Sequence, residues 1–180
     1  MNQWVRWALI AVGGIVVLVA AATGIGALLP RDHVASSTIT LQQPPDSVWR
    51  VVRDFAGMPF WWKGVTGMVR LPDAQGRERW RQESAMGPMS LEIIQDQPPQ
   101  RLATRILPSE HAASYGGTWT YEVTAAGGGS RVTVTEEGWV ANPLLRFVAR
   151  TMLGRHTTMD RYLKALGRRF GEAVEPVHLR

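Results

Sequence analysis

NPLLRFVARTMLGRHTTMDRYLKALGRRFG (residues 142–171) is the stretch whose reading decides the fold. Leu145, Val148, Met152, Met159, Leu163, Leu166 and Phe170 recur at steps of three or four, with one step of seven across His156. That spacing places them on one narrow face of a 3.6-residue helix. Arg146, Arg150, Arg161, Lys164 and Arg168 fall on the opposite face. Asn142 suits the N-cap, Pro143 suits the first helical position, where a missing N–H costs nothing, and Gly171 is a natural stop. A single long helix is expected. One apolar stripe cannot bury itself, and everything upstream reads as strand and turn, so the partner should be a sheet.

At the other end, no charged residue occurs in residues 7–30, and residues 8–29 are apolar or small. As a helix this run would reach ~33 Å, about one bilayer core. The expected organisation is an anchor at 1–31, a domain at 32–172 and a tail at 173–180. The rival reading is a cleavable leader with Arg6 in its basic region and Ala20, Ala21 and Ala22 at the cleavage site, but the apolar run continues further than a leader needs. Arg6 and the free amine mildly favour a cytoplasmic N-terminus and a domain outside the cytoplasm. The absence of cysteine fits either side.

Arg6 is the only charged side chain before residue 31, so the rest of the chain's 20 basic and all of its 15 acidic residues lie in the domain and tail. Residues 142–171 hold seven basic residues against Asp160 alone, and so carry the whole positive excess. Charge on an outer helical face is usually a solvated face. On a tethered domain, Arg146, Arg150, Arg161, Lys164 and Arg168 would also suit anionic lipid headgroups. Nucleic acid is not expected, since no nucleic-acid motif is present.

After the apolar run, residues 33–41 read as a first strand, rich in β-branched residues. Pro44, Pro45 and Asp46 open a short helix through Asp54. Residues 54–65 then carry Phe60, Trp61 and Trp62 on a connection, where aromatics should cap something apolar. Turn signals at 73–76, 87–88, 98–99 and 125–130 separate the following strands, and the short joins imply antiparallel pairing. Residues 116–124 alternate Trp119, Tyr121 and Val123 with threonines and Glu122, and residues 131–140 answer with Val132 and Val134.

This order, with PDSVW at 45–49, MPFW at 58–61, GTWTY at 117–121, RVTVTE at 131–136 and YLKAL at 162–166, resembles the SRPBCC superfamily of Bet v 1, START and polyketide cyclase-dehydrase proteins. The resemblance implies an α+β helix-grip: a curved antiparallel sheet of six to seven strands around a long C-terminal helix, here preceded by one transmembrane helix. It implies a cavity for a lipid, quinone, sterol or polyketide-like molecule, with Trp61 and Trp62 near a mouth, Trp119 and Tyr121 on the concave face, and Met152, His156 and Met159 on the helix. For each of these, plain core packing is the competing reading.

No metal or cofactor is expected, because His33, His111, His156 and His178 are scattered and no phosphate loop or nucleophile motif occurs. Two residues are candidates for chemistry. His156 interrupts the apolar stripe, four after Met152 and three before Met159, so it should face inward as a general acid or base, or as a core histidine bonded to its surroundings. Glu136 shares strand parity with Val132 and Val134 and is a second inward candidate. The expected function is a membrane-tethered binding or carrier protein for a hydrophobic small molecule. The alternatives are a cyclase or dehydratase using His156 or Glu136, and a scaffold recruiting partners through the basic helix.

Overall fold

The computed structural model describes residues 2–85, 87–107, 115–154 and 156–179. An N-terminal helix α1 (Gln3–Leu28) leads directly into β1 (Asp32–Leu41), which alternates Ala35, Ser37, Ile39 and Leu41 inward. Helices α2 (Pro45–Arg53) and α3 (Met58–Trp61) follow, then β2 (Gly67–Ala74), β3 (Arg77–Glu83), β4 (Met89–Gln97), β5 (Arg101–Ile106), β6 (Tyr115–Ala126) and β7 (Gly129–Val140). Strands β6 and β7 join through Gly127 (φ 57°) and Gly128 (φ 84°), the two left-handed residues that a tight hairpin requires. The chain closes with α4 (Pro143–Val148), a π-turn (Ala149–Leu153), α5 (Thr157–Arg169) and β8 (Val177–Leu179).

All neighbours pair antiparallel in one sheet, β2-β3-β4-β5-β6-β7-β1-β8. Helix α5 lies in the curve of this sheet and buries Met159, Tyr162, Leu163 and Leu166 completely. They meet Ile39, Leu41, Val123, Val132 and Val134 from the sheet, and Val48, Trp49 and Val52 from α2. Each fully buried aliphatic side chain here contributes roughly 1.5–3 kcal/mol. This is the α+β helix-grip.

Three expectations need correction. The single helix over 142–171 is broken: Asn142 does cap α4, accepting from the Leu145 N–H at 3.1 Å, but Gly154 ends the π-turn with φ 71° and ψ 154°. Only glycine is comfortable there, so the apolar period resumes on a second helix. The sheet has eight strands, because the expected tail folds back: Ser36, Ser37 and Thr38 of β1 pair with β8. Phe60 caps nothing, being 92% exposed, whereas Trp62 is buried.

Helix α1 is apolar and, apart from one face near its C-terminus, exposed. Ala22, Thr23, Gly26 and Leu29 are covered at helical spacing, and α4 provides the cover. A Cβ on Gly26 would fall on the Pro143 carbonyl oxygen and 3.3 Å from the Phe147 Cβ. Arg146 reaches across this seam, donating to the Leu29 carbonyl at 2.9 Å and to the Ala141 carbonyl at 3.2 Å.

Candidate functional site

Tyr162 is the centre on which four aromatic side chains converge. It projects from α5 into rings from two sides: Trp61 and Trp62 at the end of α3, and Trp119 and Tyr121 on β6. Ring centroids lie 5.3, 5.2, 6.4 and 5.4 Å from it in that order. The three tryptophans present edge-on geometry, which the quadrupoles of neighbouring rings favour. Trp119 and Tyr121 also touch each other at 6.1 Å. The alternation of β6 puts both on one face, and the short helix α3 brings Trp61 and Trp62 over the top.

Tyr162 is wholly buried, and its hydroxyl has no hydrogen-bond partner among the described residues. Burial pushes its pKa well above the usual tyrosine value, with the neighbouring Tyr121 adding to the effect. Tyr121 is raised by burial and then by the negative charge of Glu136. Both phenols therefore stay protonated and able to donate. Sequence reasoning placed Tyr162 only in a family-like pattern; the available signal was its position three residues after Met159 and next to Leu163.

Glu136 stands opposite Trp119 and Ala35 in the sheet ladders, on the inward face. His33 approaches it at 3.5 Å, both side chains being one-quarter exposed. Gly138 makes this possible, since a Cβ there would meet the His33 ring at 2.6 Å. The pair forms a polar rim at the end of the grip where β1 begins and β7 ends.

His156 is engaged elsewhere. Ser37, buried in β1, donates to Asp160 Oδ1 at 2.9 Å, and its Oγ lies 3.2 Å from His156 Nδ1, leaving that nitrogen as the donor. The His156 ring stacks on His178 of β8 at 3.9 Å, and His178 Nε2 is 2.9 Å from Asp160 Oδ2. Burial holds the His156 pKa below its ordinary value, His178 lowers it further, and Asp160 opposes both. The cluster ties α5 and β8 to β1. A serine at an inward position between Ala35 and Ile39 was its sequence signal.

Met159 is buried beneath the rings, and Met152 falls on the π-turn with its side chain outside the described residues. The basic set does not form one face. Arg146 is bound at the α1 seam, Lys164 pairs with Glu175 at 2.6 Å, Arg150 is exposed before the break, and Arg161 and Arg168 are exposed after it. Among the described residues, outside which His111 lies, no group of three potential ligands could hold a metal. Two open grooves of about 330 and 460 Å³ lie away from the aromatic rings, beside Thr38 and Val174 and beside Pro45 and Val123.

Solved structures with this architecture include a START superfamily protein from Mycobacterium smegmatis (TM-score 0.61, 17% identity, 76% of this chain and 96% of that one). The Zhui aromatase/cyclase from Streptomyces sp. R1128 aligns with TM-score 0.57 and 17% identity over 79% of this chain and 99% of its own. A Thermus thermophilus protein aligns with TM-score 0.61 and 23% identity over 76% and 96%. At such identities these likenesses concern the fold. No curated protein matches. The family model described as polyketide cyclase / dehydrase and lipid transport matches residues 32–171, from the first residue of β1 to just beyond α5. With a helix-grip around an aromatic interior and a match over most of its length, the chain belongs to the polyketide cyclase/dehydrase and lipid transport family.

Proposed function

We propose that this protein is a membrane-tethered binding or carrier protein for a hydrophobic small molecule, held between the sheet and α5 where the Tyr162 ring now stands. The observation that carries this reading is the Tyr162 hydroxyl, buried without a partner among the described residues and surrounded by Trp61, Trp62, Trp119 and Tyr121. A buried unpaired hydroxyl costs roughly 1–3 kcal/mol, which a ligand with one acceptor group and an apolar body would recover. Uptake at this position requires the buried Tyr162 ring to swing aside, and no hydrogen bond among the described residues holds its hydroxyl back. A lipid, a quinone or a polyketide-like molecule has this chemistry.

The tether in this reading is α1. A leader destined for removal has no reason to fit the mature domain, yet Gly26 seats α4 and Arg146 caps the Leu29 carbonyl. With Arg6 on the short side, the domain would lie outside the cytoplasm. Native mass spectrometry of gently extracted full-length protein tests the proposal: an apolar molecule should co-purify in one-to-one ratio. Protein that carries none and also fails to bind fatty acid, quinone or sterol probes would remove it.

A second reading, a cyclase or dehydratase, is favoured by the His33–Glu136 pair, whose carboxylate and imidazole face the same interior. Of Glu136 and His156, Glu136 is the better candidate, because His156 is occupied by Ser37 and His178. Under this reading Glu136→Gln abolishes turnover of a polyketide-like substrate while binding persists. Turnover unchanged in that variant would exclude Glu136 from the chemistry.

A further inference from the structure

The seam between α1 and α4 fixes a depth. On α1 the covered positions are Ala22, Thr23 and Gly26, with Leu29 covered just past its end, so α4 lies alongside the final ~10 Å of the apolar helix. Small residues at this spacing let two helices approach closely, as they do within bilayers. Helix α4 is itself apolar on more than one side: Phe147 faces α1, while Leu145 is 44% exposed and Leu144 and Val148 are half-covered. Arg150 follows, exposed, on the π-turn. Beside the seam, Val140 donates its N–H to the Arg31 carbonyl at 3.0 Å, and the Arg31 guanidinium sits 5.2 Å from the Trp139 ring. Apolar residues next to arginine and tryptophan are the composition of the boundary between headgroups and acyl chains.

We propose that α4 lies in the headgroup–acyl boundary of the bilayer that α1 spans, with Leu145 turned into the lipid and Arg150 at the headgroups. This rests on the reading of α1 as a retained span. A helix fastened to the last two turns of a span cannot stand clear of the membrane. The chain leaves β7 where Val140 donates to the Arg31 carbonyl and is back against β1 where His156 meets Ser37, and His33 and the Glu136 partner Ala35 lie between these two points on β1. The rim of the grip consequently faces the bilayer. Its ligand class follows: an amphiphile that resides in the membrane and reaches the interior past the π-turn without crossing water.

The chain has no cysteine, so single labels can be placed without background. Full-length protein is reconstituted in phosphatidylcholine–phosphatidylglycerol vesicles with an environment-sensitive fluorophore at Leu18→Cys, Leu145→Cys or Ala125→Cys. Each is then read with phospholipids brominated along the acyl chain. The Leu18 label should be quenched most strongly by deep bromines and the Leu145 label by shallow ones. The Ala125 label, at the far end of β6, should keep its aqueous spectrum. Adding Gly26→Leu should move the Leu145 label to the aqueous spectrum and leave Leu18 unchanged. A quenched Leu18 with a Leu145 as wet as Ala125 overturns the placement of α4 while the tether stands. An unquenched Leu18 overturns the tether and the placement together. A Leu145 label still shallow in the Gly26→Leu protein overturns the seam as what sets the depth.

Discussion

Tyr162 combines full burial with an unpaired hydroxyl, and the two properties pull in opposite directions. Removing only the oxygen should stabilise the protein. Tyr162→Phe is expected to raise unfolding free energy in urea by ~1 kcal/mol while weakening any ligand that accepts from the phenol. Equal stability and undiminished ligand retention would show that the hydroxyl is satisfied by other means. His156 makes a different prediction. Held below 6.5 by burial and by His178, it takes up a proton less readily in the folded chain than in the unfolded one. Stability should therefore decline as pH falls below 6.5, until the lowered folded value is passed. Denaturation midpoints compared between about pH 7.5 and about pH 5.5 should show the decline, and His156→Gln should flatten it. Glu92 acts oppositely. On the outer face of the sheet, three arginines cover its carboxylate, with hydrogen bonds from Arg105 at 2.6 Å and from Arg77 and Arg79 at 3.1 Å. Arg105 leads in lowering its pKa, burial opposes, and Arg77 and Arg79 complete a shift to about 2. Its contribution is present above the ordinary 4.5 and is lost as pH falls toward 2. Glu92→Gln should lower the melting temperature at neutral pH and make acid unfolding less steep.

Among the elements, the broken helix teaches most about what a sequence discloses. Its N-cap was legible, and so were the stripe and inward position of its second half, because local spacing determines them, whereas Leu145 of the same stripe is exposed. The break was not, although the one irregular step in the stripe lies across His156 and Gly154 stands beside it. Periodicity continues in phase across a gap of seven whether or not the backbone does, so counting residues cannot distinguish one helix from two. Gly154 sits where a side chain is strained, and a Cβ there would approach Thr157 Oγ1 at 3.2 Å. Gly154→Ala should cost ~1–3 kcal/mol in unfolding free energy; an unchanged midpoint would mean that the turn relaxes into continuous helix. The strand β8 escaped notice for a related reason. Three residues hold no period, and His178 has meaning only once Asp160 and Ser37 are brought beside it. Truncation before Val177 should lower the melting point modestly and weaken the pH dependence assigned to His156, since the His178 contribution goes with the strand.

At the scale of the molecule, the grip was readable because alternation and turn residues dictate antiparallel strands, and an amphipathic helix must cover their concave face. The aromatic interior was readable as a set of residue types, since Trp119 and Tyr121 share a strand face. Its convergence on Tyr162 depends on how α3 crosses α5, which no local pattern encodes. Nor does spacing reveal that Arg146 and Leu29, separated by 117 positions, meet. Whole-chain architecture also predicts behaviour. Deleting residues 1–30 uncovers Phe147 and its neighbours, so the shortened protein should self-associate, measurable as a rise in mass by light scattering; a strictly monomeric product would argue that α4 refolds over its own seam.

The direct passage from α1 to β1, with only three residues between Leu28 and Asp32, has a mechanical side. Any drag on α1 pulls β1 along its own axis. Its ladder with β7 runs through ten residue pairs from Asp32 to Leu41, so they must slide together rather than unzip singly. Arg146 ties the same end to α4, sharing the load with the far end of the chain. A domain hung in shear by a strand paired on both sides would resist lateral force far better than one hung from an edge.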